Sequence, residues 1–223
     1  MPITTPIAVL DTETTGLTAP IGVVELAYVF INPEMEVLSE HCLLVNPGRP
    51  IEPGATGVHS IEDHHVADAP PLEEAIAPLA ALPEVIIIGH NIQFDLKLVG
   101  PHISTVGSVC TLALARQYLP GAPNHRLGTV QEYLGLPSFE AHRALGDVIT
   151  ALNVLRRILT DRGLSLEDVI QRQSKPRMLS LMPFGKHKGT PLIDVPRDYR
   201  AWLLGQGNLD QDLRYTLTQL EKL

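Results

Sequence analysis

The chain has almost no cysteine. Cys42 and Cys110 are the only two in 223 residues, too few for a disulfide framework, and each stands in an apolar neighbourhood, so two buried free thiols are expected. Long apolar runs are missing as well. The longest, such as Val85–Ile88, are far too short to span a bilayer. The opening Met-Pro-Ile-Thr-Thr-Pro lacks the basic start of a secretory signal, so a cytoplasmic protein with no membrane partner is expected. No internal repeat is visible. Net positive charge is also missing: the formal charge is −8, which at first argues against a polyanionic partner. Its distribution changes that reading. Residues 1–174 carry 9 Lys and Arg against 20 Asp and Glu, whereas residues 175–223 carry 8 against 5. An acidic body with a basic tail fits an anionic ligand that reaches the tail. The body itself can handle a phosphodiester if divalent cations reverse its local sign.

What is present is a globular chain, 44% hydrophobic and 19% charged, long enough for one α/β domain and an appendage. Ile7-Ala8-Val9-Leu10 reads as a buried strand that runs into Asp11-Thr12-Glu13-Thr14-Thr15-Gly16-Leu17. Residues i and i+2 of a strand share a face, so Asp11 and Glu13 aim at one spot and call for positive charge there. Val23–Ile31 and His41–Val45 read as the next two strands, joined by short turns into an antiparallel meander. Glu25, inside the apolar second strand, reads as a paired structural acid. Residues 46–70 hold Pro, Gly and His with no clean period and read as a long functional loop. Its His59, His64 and His65 lack a matching Cys/His pair elsewhere, so zinc is not expected.

Leu72–Leu82 has helical spacing and closes at Pro83. Val85–Ile88 reads as a central strand that empties into His90-Asn91-Ile92-Gln93-Phe94-Asp95 and a helix. A strand over Ser108–Cys110 follows, then helices over Thr111–Leu119 and Leu127–Leu134. A long amphipathic helix runs from about Arg143 to Arg162, with its apolar stripe at Leu145, Val148, Ile149, Leu152, Leu155, Ile158 and Leu159, and is capped by Gly163. Leu166–Gln171 is a short helix. Gln173-Ser174-Lys175-Pro176-Arg177 reads as a linker, giving domains 1–172 and 173–223. Beyond it Met182–Thr190 looks like a small basic hairpin, followed by helices near Asp198–Gly205 and Gln211–Leu220. Fewer than fifty residues bury little core alone, so this tail is expected to lean on the main domain or a partner.

Acids therefore stand at strand exits or a helix start in three places, at Asp11 with Glu13, at Asp95 and at Asp147. Four converging carboxylates bind two divalent cations through hard oxygens, with Mg²⁺ or Mn²⁺ fitting best, and such a pair suits in-line phosphoryl displacement. His142 precedes Asp147 by five residues and falls outside its helix face, so it can reach the site from the approach loop. A neutral imidazole there can take a proton from the attacking water.

Asp11-Thr12-Glu13-Thr14-Thr15-Gly16, His90-Asn91-Ile92-Gln93-Phe94-Asp95 and His142-Arg143-Ala144-Leu145-Gly146-Asp147 resemble the three motifs of the DnaQ-like exonucleases. The His-x4-Asp spacing is similar to that of their histidine-type (DEDDh) branch. The resemblance spans about residues 7–160. It implies an α/β, ribonuclease H-like fold with a mixed five-stranded sheet, a meander followed by parallel strands, flanked by helices. It implies 3′→5′ exonucleolytic release of nucleoside 5′-monophosphates, with Asp11, Glu13, Asp95 and Asp147 as metal acids and His142 as general base. It assigns Thr12, Thr14, Gly16, Leu17, His59 and Asn91 to nucleotide binding, with Leu17 wedged against the last base and Val58–Ile61 lining the terminal-nucleotide pocket.

The tail, Met182-Pro183-Phe184-Gly185-Lys186-His187-Lys188-Gly189 followed by Asp194–Leu203, is similar to the small α+β C-terminal module of exonuclease X-type proteins. That similarity implies DNA as the substrate and a place in repair or proofreading. Lys186, His187 and Lys188 beside Phe184 are candidate DNA contacts. Two other readings stay open: an exoribonuclease of the same family, or an accessory proofreading subunit that binds a polymerase or clamp among replication or repair proteins. Leu179–Phe184 faintly resembles a clamp-binding peptide but lacks the preceding Gln.

Overall fold

A computed structural model of the chain describes residues 3–137, 139, 142–173, 178–206, 209 and 211–222. The chain divides into two compact units, 1–174 and 175–223. The expected linker, apart from Gln173, lies outside the described residues.

The first unit is built on a five-stranded sheet in the order β3-β2-β1-β4-β5. Its strands are β1 (Ile7–Thr14), β2 (Val23–Ile31), β3 (Val37–Leu44), β4 (Val85–Gly89) and β5 (Thr105–Cys110). β2 pairs antiparallel with both β1 and β3, while β4 lies parallel to β1 and to β5. This is the mixed sheet of a ribonuclease H-like α/β fold. All five residues of β4 are buried, as a strand covered on both faces requires.

Alternation sorts β1 into two cores. Ile7 and Val9 pack with Val148, Leu152, Leu155 and Ile158 of helix α8 (Ala144–Arg162). Ala8 and Leu10 face the other way, toward Ala75, Ile76 and Leu79 and toward Ile92 and Val99. Each buried aliphatic side chain contributes about 1.5–3 kcal/mol, so the packing of β1 on α8 contributes heavily to the stability of this unit. The remaining helices of this unit are α1 (Pro53–His59), α2 (Asp63–Val66), α3 (Leu72–Ala75), α4 (Ala77–Ala80), α5 (Gln93–Val99), α6 (Thr111–Tyr118), α7 (Leu127–Tyr133) and α9 (Leu166–Gln173).

Four expectations change. The stretch 46–70 is not one loop: Pro53 at the first helical position starts α1, and Glu62 with His65 forms a capping box on α2. The single helix over 72–82 is two turns, α3 and α4, meeting at Ile76, where Pro78 removes a backbone donor. β3 and β5 begin earlier than their apolar cores, because edge strands carry exposed residues that hide their pattern. Cys42 is a free thiol but exposed on edge strand β3, and free Cys110 is half-buried.

The second unit holds α10 (Arg197–Leu204) and α11 (Gln211–Leu220). The expected hairpin is one antiparallel bridge, Leu181 with Pro191. The turn between them coils into a 3₁₀ segment over Gly185–His187. Small as it is, the unit buries a core of its own from Met182, Leu192, Val195, Leu203, Leu213 and Leu217. Among the described residues no helix is long and apolar enough to cross a membrane.

Candidate active site

The sheet opens where β1 changes partners. β4 pairs with β1 only through Val9, while β2 continues alongside β1 to Thr14. Beyond Val9 the β4-side edge of β1 is therefore free, and such forks are where α/β sheets gather ligands. Gly89 closes β4 there, and only glycine fits: a Cβ would lie 2.7 Å from the Leu10 carbonyl oxygen.

The alternation that sorted the core also sorts the acids. Asp11 and Glu13 continue the Ile7/Val9 face toward α8, and Asp147 stands in the first turn of α8. One carboxylate oxygen from each of Asp11, Glu13 and Asp147 lies within 4.8 Å of the others. Thr12 points to the opposite face, where Asp95 of α5 is buried. The Thr12 amide and hydroxyl both donate to Asp95 Oδ1, at 3.0 and 2.7 Å. Asp95 is not one of the three acids grouped within 4.8 Å, yet among the neighbouring charges it acts most on Asp11.

The electrostatics are those of crowded anions. Burial, followed by the charges of Asp95, Asp147, Glu13 and Glu25, pushes Asp11 well above the usual carboxylate range. Burial and the neighbouring acids push Glu13 up to about 7. Burial pushes Asp95 up to about 6, against the stabilising hydrogen bonds from Thr12. Burial also raises Asp147, with the charge and backbone amide of His142 pulling the other way. His142 therefore adjoins Asp147. It is exposed, with φ 60°, on the approach to α8. A set of hard oxygen donors that repel one another fits a divalent cation.

Glu25 holds α8 in place. It is 1% exposed, sits across the ladder from Glu13, and accepts from Arg143 Nε at 3.1 Å and from Nη2. Its other oxygen accepts the first helical amide, Ala144 N–H, at 2.8 Å. The paired structural acid expected from the sequence is thus the anchor of the segment that carries His142 and Asp147. The N-cap residue Arg143 makes no side-chain cap of its own, so a strand residue supplies that bond.

Beside the acids lies a pocket of about 450 Å³ lined by Thr12, Glu13, Thr14, Gly16, Leu17, Glu52, Val58, His59 and Phe94, among others. Leu17 is 82% exposed on a loop pinched by paired backbone and side-chain bonds between Thr15 and Gly22. The Thr14 hydroxyl donates to the Gly16 carbonyl at 3.2 Å. Gly16 takes φ 148°, and a Cβ there would meet the Glu52 carboxyl at 2.3 Å. His59 is buried with both ring nitrogens engaged: Nδ1 accepts from Ile61 N–H at 3.0 Å, so Nε2–H donates to the Thr14 carbonyl, 3.1 Å away. It braces the wall and leaves no ring nitrogen for a ligand. Asn91 does not line the pocket; it is an exposed residue with φ 63° between β4 and α5. Lys186, His187 and Lys188 belong to the second unit. Glu52 and Phe94 escaped sequence reasoning. Phe94 was legible only as the neighbour of Asp95, and nothing in sequence marks Glu52.

Residues 8–155 match the family model whose description is exonuclease. The chain is a DnaQ-like exonuclease. It is 32% identical over 219 residues to exodeoxyribonuclease 10 of Escherichia coli strain K12, covering 94% of this chain and 96% of that one. It is 33% identical over 163 residues to a DNA polymerase III subunit epsilon-like protein of Rhodobacter capsulatus, covering 68% of this chain but 23% of the relative. Among solved structures it resembles exonuclease X in complex with 5′ overhanging duplex DNA, with a TM-score of 0.61 and 28% identity over 74% of this chain and 98% of that one. Residues 176–221 of the exonuclease match a second family model, named for a quorum-sensing-regulated virulence factor, a name that carries no chemistry.

The raised acids give a first prediction. Metal-free, the folded exonuclease holds protons that the unfolded chain releases near pH 4. The stability tied to those protons is present at low pH and lost as pH rises through about 6 and 7, where Asp95 and Glu13 ionise. In EDTA the melting temperature should therefore fall between pH 5 and 8. Added Mg²⁺ or Mn²⁺ should restore it by roughly 5–10 °C at ~100-fold above Kd, with the increment growing across the same window. An increment that ignores pH would contradict the acid cluster as the cation site.

Proposed function

We propose that the chain is a metal-dependent 3′→5′ exodeoxyribonuclease that releases nucleoside 5′-monophosphates. The observation that carries this reading is the meeting of Asp11, Glu13 and Asp147 at the rim of a pocket walled by Leu17, Val58 and Phe94. A phosphodiester needs the acids, and a terminal base and sugar suit the largely apolar pocket. DNA as substrate is supported by the similarity to exodeoxyribonuclease 10 along nearly the whole chain.

Two divalent cations bound by Asp11, Glu13, Asp95 and Asp147 would stabilise the attacking and leaving oxygens of the displacement. The protein's own residues do the rest. Thr12, Thr14 and Gly16 border the 3′-terminal nucleotide, and exposed Leu17 presses on its base. His142 takes the proton of the attacking water as the bond from phosphorus to the 3′ oxygen of the penultimate nucleotide breaks; the phosphate stays with the released nucleotide, and the leaving oxygen picks up a proton from solvent and becomes the new 3′ hydroxyl of the strand.

The test is Mg²⁺-dependent digestion of 3′- and 5′-labelled single-stranded DNA, duplex DNA and RNA. Mononucleotide released at once from the 3′ label, with a shortening ladder from the 5′ label, is expected. Clear preference for RNA would move the reading to an exoribonuclease. His142→Ala should lower kcat by ~10²–10⁴-fold, the range for a lost general base, while the metal-induced rise in melting temperature persists. If that rise vanished, His142 would be a ligand.

A further inference from the structure

The second unit leaves large aromatic side chains in water although it has a core to bury them in. Trp202, the only tryptophan of the chain, is 56% exposed, and Phe184 is 44% exposed. Tyr199 joins them. Its ring centroid lies 5.4 Å from that of Trp202 at 32°, and its hydroxyl lies within 2.9 Å of where a Cβ on Gly185, next to Phe184, would stand. The basic turn wraps the same ring. Lys186 Nζ sits 4.9 Å from the Tyr199 centroid, and the His187 ring meets it edge-on at 4.8 Å. His187 is thereby a half-buried brace. Lys186 and Lys188 are exposed, and among the described residues neither forms an ion pair.

The described arginines of the unit are engaged. Arg197 and Arg200 reach Glu221, and Arg214 donates to the Leu204 and Gln206 carbonyls. The two lysines beside the aromatic rings are therefore charges that a partner can reach. Exposed apolar surface of this size marks an interaction site, and the mixture selects among partners. Flat faces accept any base, and unpaired ammonium groups accept phosphates, the combination by which single strands are held without sequence preference.

We propose that Trp202, Tyr199 and Phe184, with Lys186 and Lys188, form a stacking platform for single-stranded nucleic acid, outside the pocket that takes the 3′ terminus. The choice of nucleic acid over a protein partner rests on the exonuclease reading of the first unit and on the charge of the turn. A strand held there remains attached while its end is consumed, so the platform raises affinity without touching the reacting atoms.

The single tryptophan makes the test direct. The full-length protein is titrated in EDTA with a 5′-labelled oligothymidylate, reading Trp emission and label anisotropy together. Quenching that tracks the anisotropy is expected. Trp202→Ala should weaken binding roughly 5- to 150-fold, the range for one lost base–aromatic stack, and Trp202→Phe should retain most of it. Lys186→Gln and Lys188→Gln should each flatten the salt slope by about 0.7. Anisotropy that saturates with unchanged emission, and a Trp202→Ala variant that binds like wild type, would overturn the platform. So would emission that changes with protein concentration alone, which assigns the patch to a second copy of the chain. Digestion of the same oligothymidylate in Mg²⁺ is scored separately. Digestion without quenching sinks the platform alone, and quenching without digestion sinks the exonuclease reading alone.

Discussion

Asp11→Asn should abolish nuclease activity and at the same time make the metal-free protein more stable. The two outcomes have one cause. Asp11 receives the repulsion of four other acids, Asp95, Asp147, Glu13 and Glu25, on top of its desolvation. The amide keeps the shape and removes the charge. Without a cation the cluster then relaxes, and the melting temperature in EDTA at pH 8 should rise. With one, a carboxylate that would hold the cation is gone, and several kcal/mol of transition-state stabilisation correspond to a loss of roughly 10³-fold or more in rate. Function held at a cost in stability is the usual signature of an active site. The measurement is a paired one: kcat on single-stranded DNA, and melting curves with and without Mg²⁺. A variant that melts lower in EDTA and still responds fully to Mg²⁺ would make Asp11 a structural residue.

The same chemistry explains what could be read from the sequence. β1, β2, β4 and α8 are the most buried elements, and their apolar periods state their faces openly. Period two places Asp11 and Glu13 together, and the helix start places Asp147 opposite them. Asp95 is read into the same cluster, and its closest described tie is to Thr12, whose amide and hydroxyl both donate to it. That partner is invisible until β1 and β4 are seen to separate after Val9. The edge strands β3 and β5 and the short helices α1 to α4 were harder, because exposure or one or two turns leave too little pattern. Glu52 was illegible for another reason: its place in the pocket depends on the backbone of Gly16, 36 residues earlier in the chain. The independent core of the second unit was underestimated, because six scattered residues, Met182 to Leu217, close only when the turn and two helices fold together.

The second large effect is expected at Arg143, which touches no substrate. Arg143→Ala strips Glu25, 1% exposed, of its counterion and leaves it with the Ala144 amide and the Cys42 thiol, beside Asp11 and Glu13. Removing one partner of a buried pair costs about 3–5 kcal/mol, and the lower end applies because the guanidinium is 40% exposed and partly screened. Glu25→Gln should cost less, since the amide oxygen still accepts from Ala144 N–H and no charge is stranded. The double variant should then be no less stable than Arg143→Ala alone, a coupling that a cycle of urea melts measures directly. Activity separates this anchor from a mere brace. His142 and Asp147 stand on the residues that Glu25 ties down, within a turn of Ala144. In Arg143→Ala, assayed well below its melting temperature, kcat should fall more than KM rises, because His142, the proposed proton acceptor, and one acid are displaced while the pocket of Leu17 and Phe94 is untouched. Additive stabilities, or an unchanged kcat in the folded variant, would reduce the Glu25–Arg143 pair to an ordinary ion pair and leave the placement of α8 to its apolar face alone.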